Sequence, residues 1–172
     1  GKAGADESKL QVWIDDWRAE AATDLSGVHS LVAKDGTHAL SLTLQPAKPL
    51  VAHGAAGISK KGKEVGQASH YYSFTRLTTS GTLTIDGESF DVTGTSWMDH
   101  EFGSGDLGAD QVGWDWFSIQ LEDNSELMLY RMRLKDGSSD LASSGTVVSP
   151  DGRSRHLEVT DFQIESQGTW TS

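Results

Sequence analysis

The 172-residue chain contains no cysteine, which excludes disulfide bonds and thiolate metal sites. Proline occurs only three times. No apolar run approaches the roughly 20 residues of a membrane-spanning helix, and the opening stretch GKAGADESK has no hydrophobic signal core. Basic residues are outnumbered, and the net charge of −11 argues against nucleic acid or an anionic membrane surface as a partner. A neutral or cationic partner is therefore expected.

The sequence contains many segments with the pattern of β-strands. Short alternating segments rich in β-branched and aromatic residues, such as HALSLTLQP and GTLTIDG, recur along the chain. Asp-Gly pairs such as Asp35-Gly36 and Asp86-Gly87 separate several of them and favour tight hairpins. Helical periodicity is weak, with candidate helical turns only near 15–22 and 105–111. We predict an all-β fold in which about nine or ten antiparallel strands close into an up-and-down β-barrel, because open edges invite aggregation.

The length of the chain suits one ordinary domain. Residues 1–8 are predicted to form a flexible N-terminal segment, and residues 9–172 the barrel domain. Within that domain, the stretch 46–69 carries prolines, glycines and lysines without a convincing strand. We predict a long loop there, which either lies solvated at the surface or covers a pocket.

Strand alternation assigns the aromatic and polar side chains to faces. Successive side chains point to opposite sides, so every second residue of HYYSFTR, SWMDHE and GWDWFSIQL shares a face. We predict a pocket for a large, mostly apolar molecule, with aromatic area for affinity and a few polar groups for orientation. The predicted ligand-binding residues are Tyr72, Phe74, Trp97, Glu101, Trp114, Trp116 and Arg131. The alternative is a filled core in which arginines and carboxylates neutralise one another.

Two other kinds of site have weaker support. GTSWM is not a G-x-S-x-G elbow and no other serine sits in one, which argues against a serine hydrolase. Carboxylates surround His100, but alternation separates this histidine from its neighbours and no H-E-x-x-H spacing exists. We therefore predict no metal and no cofactor. His53 and the other remaining histidines are expected at the surface.

Three phrases, HYYSFTRL, GTSWMDHEFGS and GWDWFSIQLEDNSELMLYRMR, carry a family resemblance in this order. They resemble the lipocalin-like family that includes bacterial carotenoid 1,2-hydratases, the AttH component described with an ABC-type transport system, and proteins labelled predicted secreted hydrolases. The resemblance covers nearly the whole chain. It implies a calycin-type β-barrel, normally the first of two in tandem and often behind a signal peptide or lipoprotein anchor. It also implies a periplasmic or extracellular location, with a second lipocalin-like domain or another copy of the chain as a partner.

The hydratase branch of that family implies a catalytic pair. Its pattern is a histidine followed two residues later by an aromatic residue, and further along an aromatic residue followed two residues later by an acid. His70 matches the histidine and Asp99 the acid. Tyr72 and Trp97 take the aromatic positions, with the two aromatic types exchanged relative to that branch. The resemblance thus implies that Asp99 protonates an alkene while His70 orients the water. A non-catalytic carrier or secretion-accessory domain with the same cavity is the alternative.

Overall fold

A computed structural model describes residues 2–22 and 27–171 of the chain. The predicted all-β, antiparallel class is confirmed, since every strand pairing with a defined register is antiparallel. The strands are β1 (Ala3–Ala5), β2 (Gln11–Ile14), β3 (Trp17–Ala21), β4 (His29–Asp35), β5 (His38–Pro46), β6 (Val51–Ala52), β7 (Ile58–Lys60), β8 (Ala68–Ile85), β9 (Glu88–Phe102), β10 (Gln111–Gln120), β11 (Glu126–Leu134), β12 (Ser144–Val148) and β13 (Ser154–Glu158). A 3₁₀ turn, Val159–Asp161, follows β13.

The chain forms two compact units, which the long strands β8 and β9 share. The first unit comprises Gly1–Pro49 and Arg76–Met98. In it β1 to β5 follow one another as antiparallel neighbours, and β5 pairs with the second half of β8, from Ala39↔Thr84 to Pro46↔Leu77. As predicted, the Asp35-Gly36 turn joins β4 to β5 and the Asp86-Gly87 turn joins β8 to β9, with positive φ at Gly36, Asp86 and Gly87.

The second unit comprises Leu50–Thr75 and Asp99–Ser172. Its first layer consists of β6 and β7, which pair with the first half of β8, together with the end of β9. Its second layer is the sheet β10-β11-β12-β13. Buried side chains join the layers: Thr75 donates a hydrogen bond to Glu126 (3.3 Å), and Gln120 donates one to the Thr75 carbonyl (2.8 Å). The apolar core of this unit includes Val51, Met128, Met132, Val148 and Leu157.

The structure differs from the sequence-based expectations in four respects. The strands of the described residues form two separate sheets, and their hydrogen bonding does not close into one barrel. The candidate helical turn at 15–22 was wrong, because Trp17–Ala21 form strand β3. The region 46–69 contains β6 and β7, while β1 lies within residues 1–8. The proposed domain boundaries themselves stay a prediction. Across the described ranges, no helix has the length and apolar character to cross a membrane.

Candidate functional site

The side chains of β8 alternate between a buried and a more exposed face in the second unit. Tyr71, Ser73 and Thr75 are almost completely buried, at 2%, 0% and 1% exposure. On the opposite face His70 is exposed, and its ring stacks on Phe102 with 5.1 Å between the ring centroids. The interior of this unit is thus built from the serine, threonine and tyrosine face of HYYSFTR.

A chain of hydrogen bonds runs through this interior to Asp99. The Ser73 hydroxyl donates to Asp99 Oδ1, and Ser73 Oγ lies 2.8 Å from His53 Nε2. His53 Nδ1 lies 2.8 Å from the Thr146 hydroxyl oxygen. Because the Ser73 proton is committed to Asp99, Ser73 accepts from His53 Nε2–H, and His53 Nδ1 accepts from Thr146. This series of hydrogen bonds holds His53 in a single tautomer and directs the Ser73 hydroxyl group towards the Asp99 carboxylate.

His53 is neutral at pH 7 in this setting. The pKa of its imidazole is lowered from 6.5 to about 4. Burial is the main cause, and the positive charge of Lys61 is the second. The imidazole is only 1% exposed. Since the ring is enclosed and both nitrogens are bonded, His53 positions other groups and does not itself reach a ligand.

Tyr71 connects Asp99 to an aromatic wall. Its hydroxyl oxygen accepts a hydrogen bond from Trp116 Nε1 (3.0 Å), and the hydroxyl also bonds with Asp99. Its ring packs against His53, with 4.4 Å between centroids. Burial raises the pKa of the phenol, and the negative charge of Asp99 raises it further, so Tyr71 keeps its proton at neutral pH.

An ion pair lies beside this aromatic group. Lys61 Nζ is 2.8 Å from Glu101 Oε1, and the Ser69 hydroxyl donates to the same oxygen at 2.6 Å. The ammonium also lies 3.8 Å from the centroid of the Tyr130 ring and 5.0 Å from that of Tyr71. Ionic and cation-π attraction together hold this ammonium in one place.

The Lys61–Glu101 pair, Ser69, Trp116 and Tyr130 border a cleft of about 390 Å³ inside the second unit. Its apolar wall consists of Phe102, Leu107, Trp114, Trp116, Tyr130 and Met132, and its polar wall includes Lys61, Gln67, Ser69, Glu101, Asp106 and Gln111. Trp114 and Trp116 face the cleft because they pair in register with Met132 and Tyr130, which point inward from β11. The result is a mixed aromatic and polar chamber, with 59% of Trp114 still exposed.

Comparison with known proteins places this chain in a family. A family model described as AttH-like matches residues 1–172. The chain belongs to the AttH-like family. This confirms the resemblance of HYYSFTRL, GTSWMDHEFGS and GWDWFSIQLEDNSELMLYRMR. No curated protein matches the chain at a significant level.

Two solved structures are similar to this AttH-like chain. A protein from Nitrosomonas europaea, provisionally assigned as AttH, is 34% identical with a TM-score of 0.86, over 94% of this chain and 50% of that one. Kievitone hydratase from Nectria haematococca is 16% identical with a TM-score of 0.69, over 87% of this chain and 46% of that one. The second likeness shows the fold alone. The chain spans about half the length of these solved relatives.

The structure brings together only part of the predicted site of the AttH-like chain. Glu101, Trp114 and Trp116 line the cleft. Asp99 is an exposed residue that does not line the cleft. Its carboxylate contacts the buried groups Ser73 and Tyr71, and Tyr71 bonds with the cleft residue Trp116.

Five predicted residues lie elsewhere. His70, Tyr72 and Phe74 share the opposite face of β8, so the expected common face for His70 and Asp99 was wrong; Tyr72 instead bonds with His100 Nδ1 at 2.6 Å. Arg131 lies on the other side of β11 from Tyr130, where its guanidinium binds Asp115 at 2.6 Å. Trp97 is half-buried and belongs to the first unit.

The sequence-based reasoning missed several residues of the site. His53 was expected at the surface, but it is buried, and Lys61 was assigned to a loop without a role. Two backbone bonds anchor Lys61: its N–H donates to the Gln67 carbonyl (2.8 Å), and its carbonyl accepts from Gln111 (2.7 Å). The sequence feature that could have indicated these residues is the second face of HYYSFTR, Tyr71, Ser73 and Thr75. If this face is buried, its hydroxyl groups need buried hydrogen-bonding partners. Within residues 2–22 and 27–171, no three potential metal-ligating side chains form a cluster.

Proposed function

We propose that the cleft of the second unit binds a small, mostly apolar molecule and that this binding is the primary function of the chain. The observation that carries the proposal is the aromatic wall of Trp114, Trp116 and Tyr130 facing the Lys61–Glu101 pair. Its volume of about 390 Å³ falls within the range of roughly 300–1,000 Å³ typical of small-molecule sites. Exposed tryptophan rings supply the large apolar contact area that such ligands need.

We further propose that the bound molecule is an alkene and that the domain adds water to it. In this reaction Asp99 gives a proton to one alkene carbon, a tertiary cation forms at the other carbon, and water attacks the cation. The water then loses a proton, which restores the acid. Indole and phenol faces stabilise the cation by about 2 kcal/mol or more when water is excluded.

Two observations support Asp99 as the acid in this proposal. Asp99 does not line the cleft itself, but Tyr71 bonds with its carboxyl group and with the cleft residue Trp116. Ser73, which also contacts this carboxyl group, belongs to the same interior network. In this proposal the histidine is His53, which bonds with Ser73 and acts as a positioning residue, while His70 lies on the other face of β8. The hydratase among the solved structures shares the fold, which leaves the reaction class to be tested directly.

Ligand binding is tested by titrating the protein with the isoprenoid alcohol farnesol and following tryptophan fluorescence. Trp116→Leu should weaken binding about tenfold, because it removes an aromatic wall of the cleft. Trp170→Leu is the matched control, since Trp170 is 88% exposed and is not among the residues lining the cleft. Equal affinity for the two variants would contradict this location of the site.

Hydration is tested by incubating the protein with isoprenoid alkenes in ¹⁸O-labelled water and analysing products by mass spectrometry. Asp99→Asn should abolish incorporation of the label with little change in Tm, whereas Asp110→Asn should retain activity, because Asp110 lies in the turn before β10. Binding without turnover in the unmodified protein would instead support a non-catalytic carrier or accessory domain.

The cellular setting is also a proposal. The family resemblance supports a periplasmic or extracellular location and a second lipocalin-like domain as partner. Cell fractionation with an antibody against this chain tests the location, because recovery in the cytoplasmic fraction would contradict it.

A further inference from the structure

We propose that the ligand of this cleft carries a neutral hydroxyl group, which binds between the Glu101 carboxylate and the Lys61 ammonium. This inference rests on the proposed ligand-binding function and narrows the class of ligand.

The two charged groups are held in place before any ligand binds. Lys61 Nζ contacts Glu101 Oε1 at 2.8 Å and lies over the Tyr130 ring, 3.8 Å from its centroid. The Ser69 hydroxyl donates a hydrogen bond to the same carboxylate oxygen. The side chains of Lys61 and Glu101 are 21% and 39% exposed, so the ammonium is more shielded from solvent than the carboxylate. A pre-positioned pair of this kind binds a ligand group with little loss of side-chain freedom.

Most other polar groups of the cleft are already used. Trp116 Nε1 donates to Tyr71, and the Tyr130 hydroxyl donates to the Lys60 carbonyl (2.9 Å). The Gln111 amide bonds with Lys61, Asp140 and Gly108. By contrast, both bonds to Glu101 end on Oε1, and Oε2 has no protein partner in the described parts of the chain. Glu101 Oε2 is therefore available to accept a hydrogen bond from a ligand.

Charge decides which ligand group suits this position. A ligand carboxylate would face Glu101 and Asp106, while the single lysine of the cleft is already paired. A ligand ammonium bound to Glu101 would lie beside the Lys61 ammonium. A hydrocarbon would bury the pair without replacing the hydrogen bonds that water gives it. A hydroxyl group donates to Glu101 Oε2 and accepts from Lys61, so it satisfies both partners.

The test compares four probes that share one isoprenoid chain: farnesol, farnesene, farnesoic acid and farnesylamine. Each is titrated at neutral pH and followed by tryptophan fluorescence. Farnesol should bind about tenfold more tightly than each of the others, because hydrogen bonds to charged groups are the stronger ones. This ranking in the unmodified protein decides the question without a variant.

Two variants then locate the preference. Glu101→Gln should reduce the preference for farnesol over farnesene to about threefold or less and should tighten binding of farnesoic acid, because a negative charge is removed. Lys61→Met should also reduce the preference for farnesol. The matched controls are Glu122→Gln and Lys63→Met, since both residues are exposed and neither lines this cleft. A preference that both site variants retain would overturn the proposal.

The outcomes separate this inference from the function on which it rests. Farnesene, farnesoic acid or farnesylamine binding as tightly as farnesol would overturn the hydroxyl assignment and leave the apolar-ligand function supported. Failure of all four probes to bind would overturn both. Tightest binding of farnesol, lost in the site variants and kept in the controls, would support both.

Discussion

The two units of this chain use β-strands in different ways. In the first unit antiparallel hairpins follow one another in one sheet, and Leu44 and Leu77 are the apolar side chains buried among its described residues. Its strands leave Ile14 55% and Trp17 51% exposed. In the second unit two layers enclose a core together with buried polar groups. A second layer is what allows a sheet to enclose both apolar side chains and a hydrogen-bonded site.

The largest expected effect tests this difference in burial. Met128→Ala removes a side chain that is 1% exposed in the second unit and should lower the free energy of unfolding by about 2–5 kcal/mol. Ile14→Ala in the first unit should change it by only about 0.5 kcal/mol, because that side chain is already exposed. Urea denaturation followed by circular dichroism measures both. Equal losses would show that the first unit has a core comparable to that of the second.

A smaller effect concerns the pH dependence of stability. The pKa of His53 is lowered to about 4 by burial, whereas the ordinary value is 6.5. Between these values the unfolded chain binds a proton that the folded chain does not, so stability falls as pH is lowered from 6.5 to 4. The full difference corresponds to about 3 kcal/mol. In the first unit, burial also lowers the pKa of His29, so its contribution has the same sign.

Urea unfolding at neutral and at mildly acidic pH measures this contribution. His53→Gln should be less stable at neutral pH but should lose less stability on acidification than the unmodified protein. His38→Gln is the control, because His38 is an exposed residue of the first unit. An unchanged pH dependence in His53→Gln would show that His53 is not the group that titrates.

The smallest expected effect distinguishes the two sides of the sheet formed by β10 to β13. Arg131→Met removes the ion pair with Asp115 on the side away from the cleft and should lower stability by about 1 kcal/mol or less. Affinity for farnesol should not change. Arg153→Met provides the baseline, because the Arg153 side chain is 85% exposed. A marked loss of farnesol affinity in Arg131→Met would indicate that the ligand binds on the Arg131 side of the sheet, and this would contradict binding in the cleft.

The fold class followed directly from local patterns. Alternation predicted strands in β5, β8 and β10, and Asp-Gly pairs such as Asp86-Gly87 predicted the hairpins that the structure shows. These features depend on neighbouring residues only, so they can be read without knowing the fold. Closure into one barrel depends on which strand edges meet, and the two-sheet pairing of the described residues was not evident from the sequence.

The assignment of side chains to faces agrees with the structure on β9 and β10 but not on β8. On β9 alternation grouped Asp99 with Glu101, and on β10 it grouped Trp114 with Trp116, and these groupings match the structure. On β8 one face carried Tyr72 and Phe74 and the other carried Tyr71 and Ser73. Aromatic content predicts the Tyr72 and Phe74 face as the pocket lining, although the structure buries the other face.

The amino-acid sequence by itself determined the strands, the tight turns and the pairs of side chains that share a face, because each follows from the period of two along an extended chain. Tertiary structure decided which face became interior. That choice depends on the partner layer: Thr146 and Glu126 of the second sheet offer hydrogen bonds to His53 and Thr75, and so make burial of the polar face favourable. These partners are distant in sequence, so the local alternation of residues does not predict which face they bury.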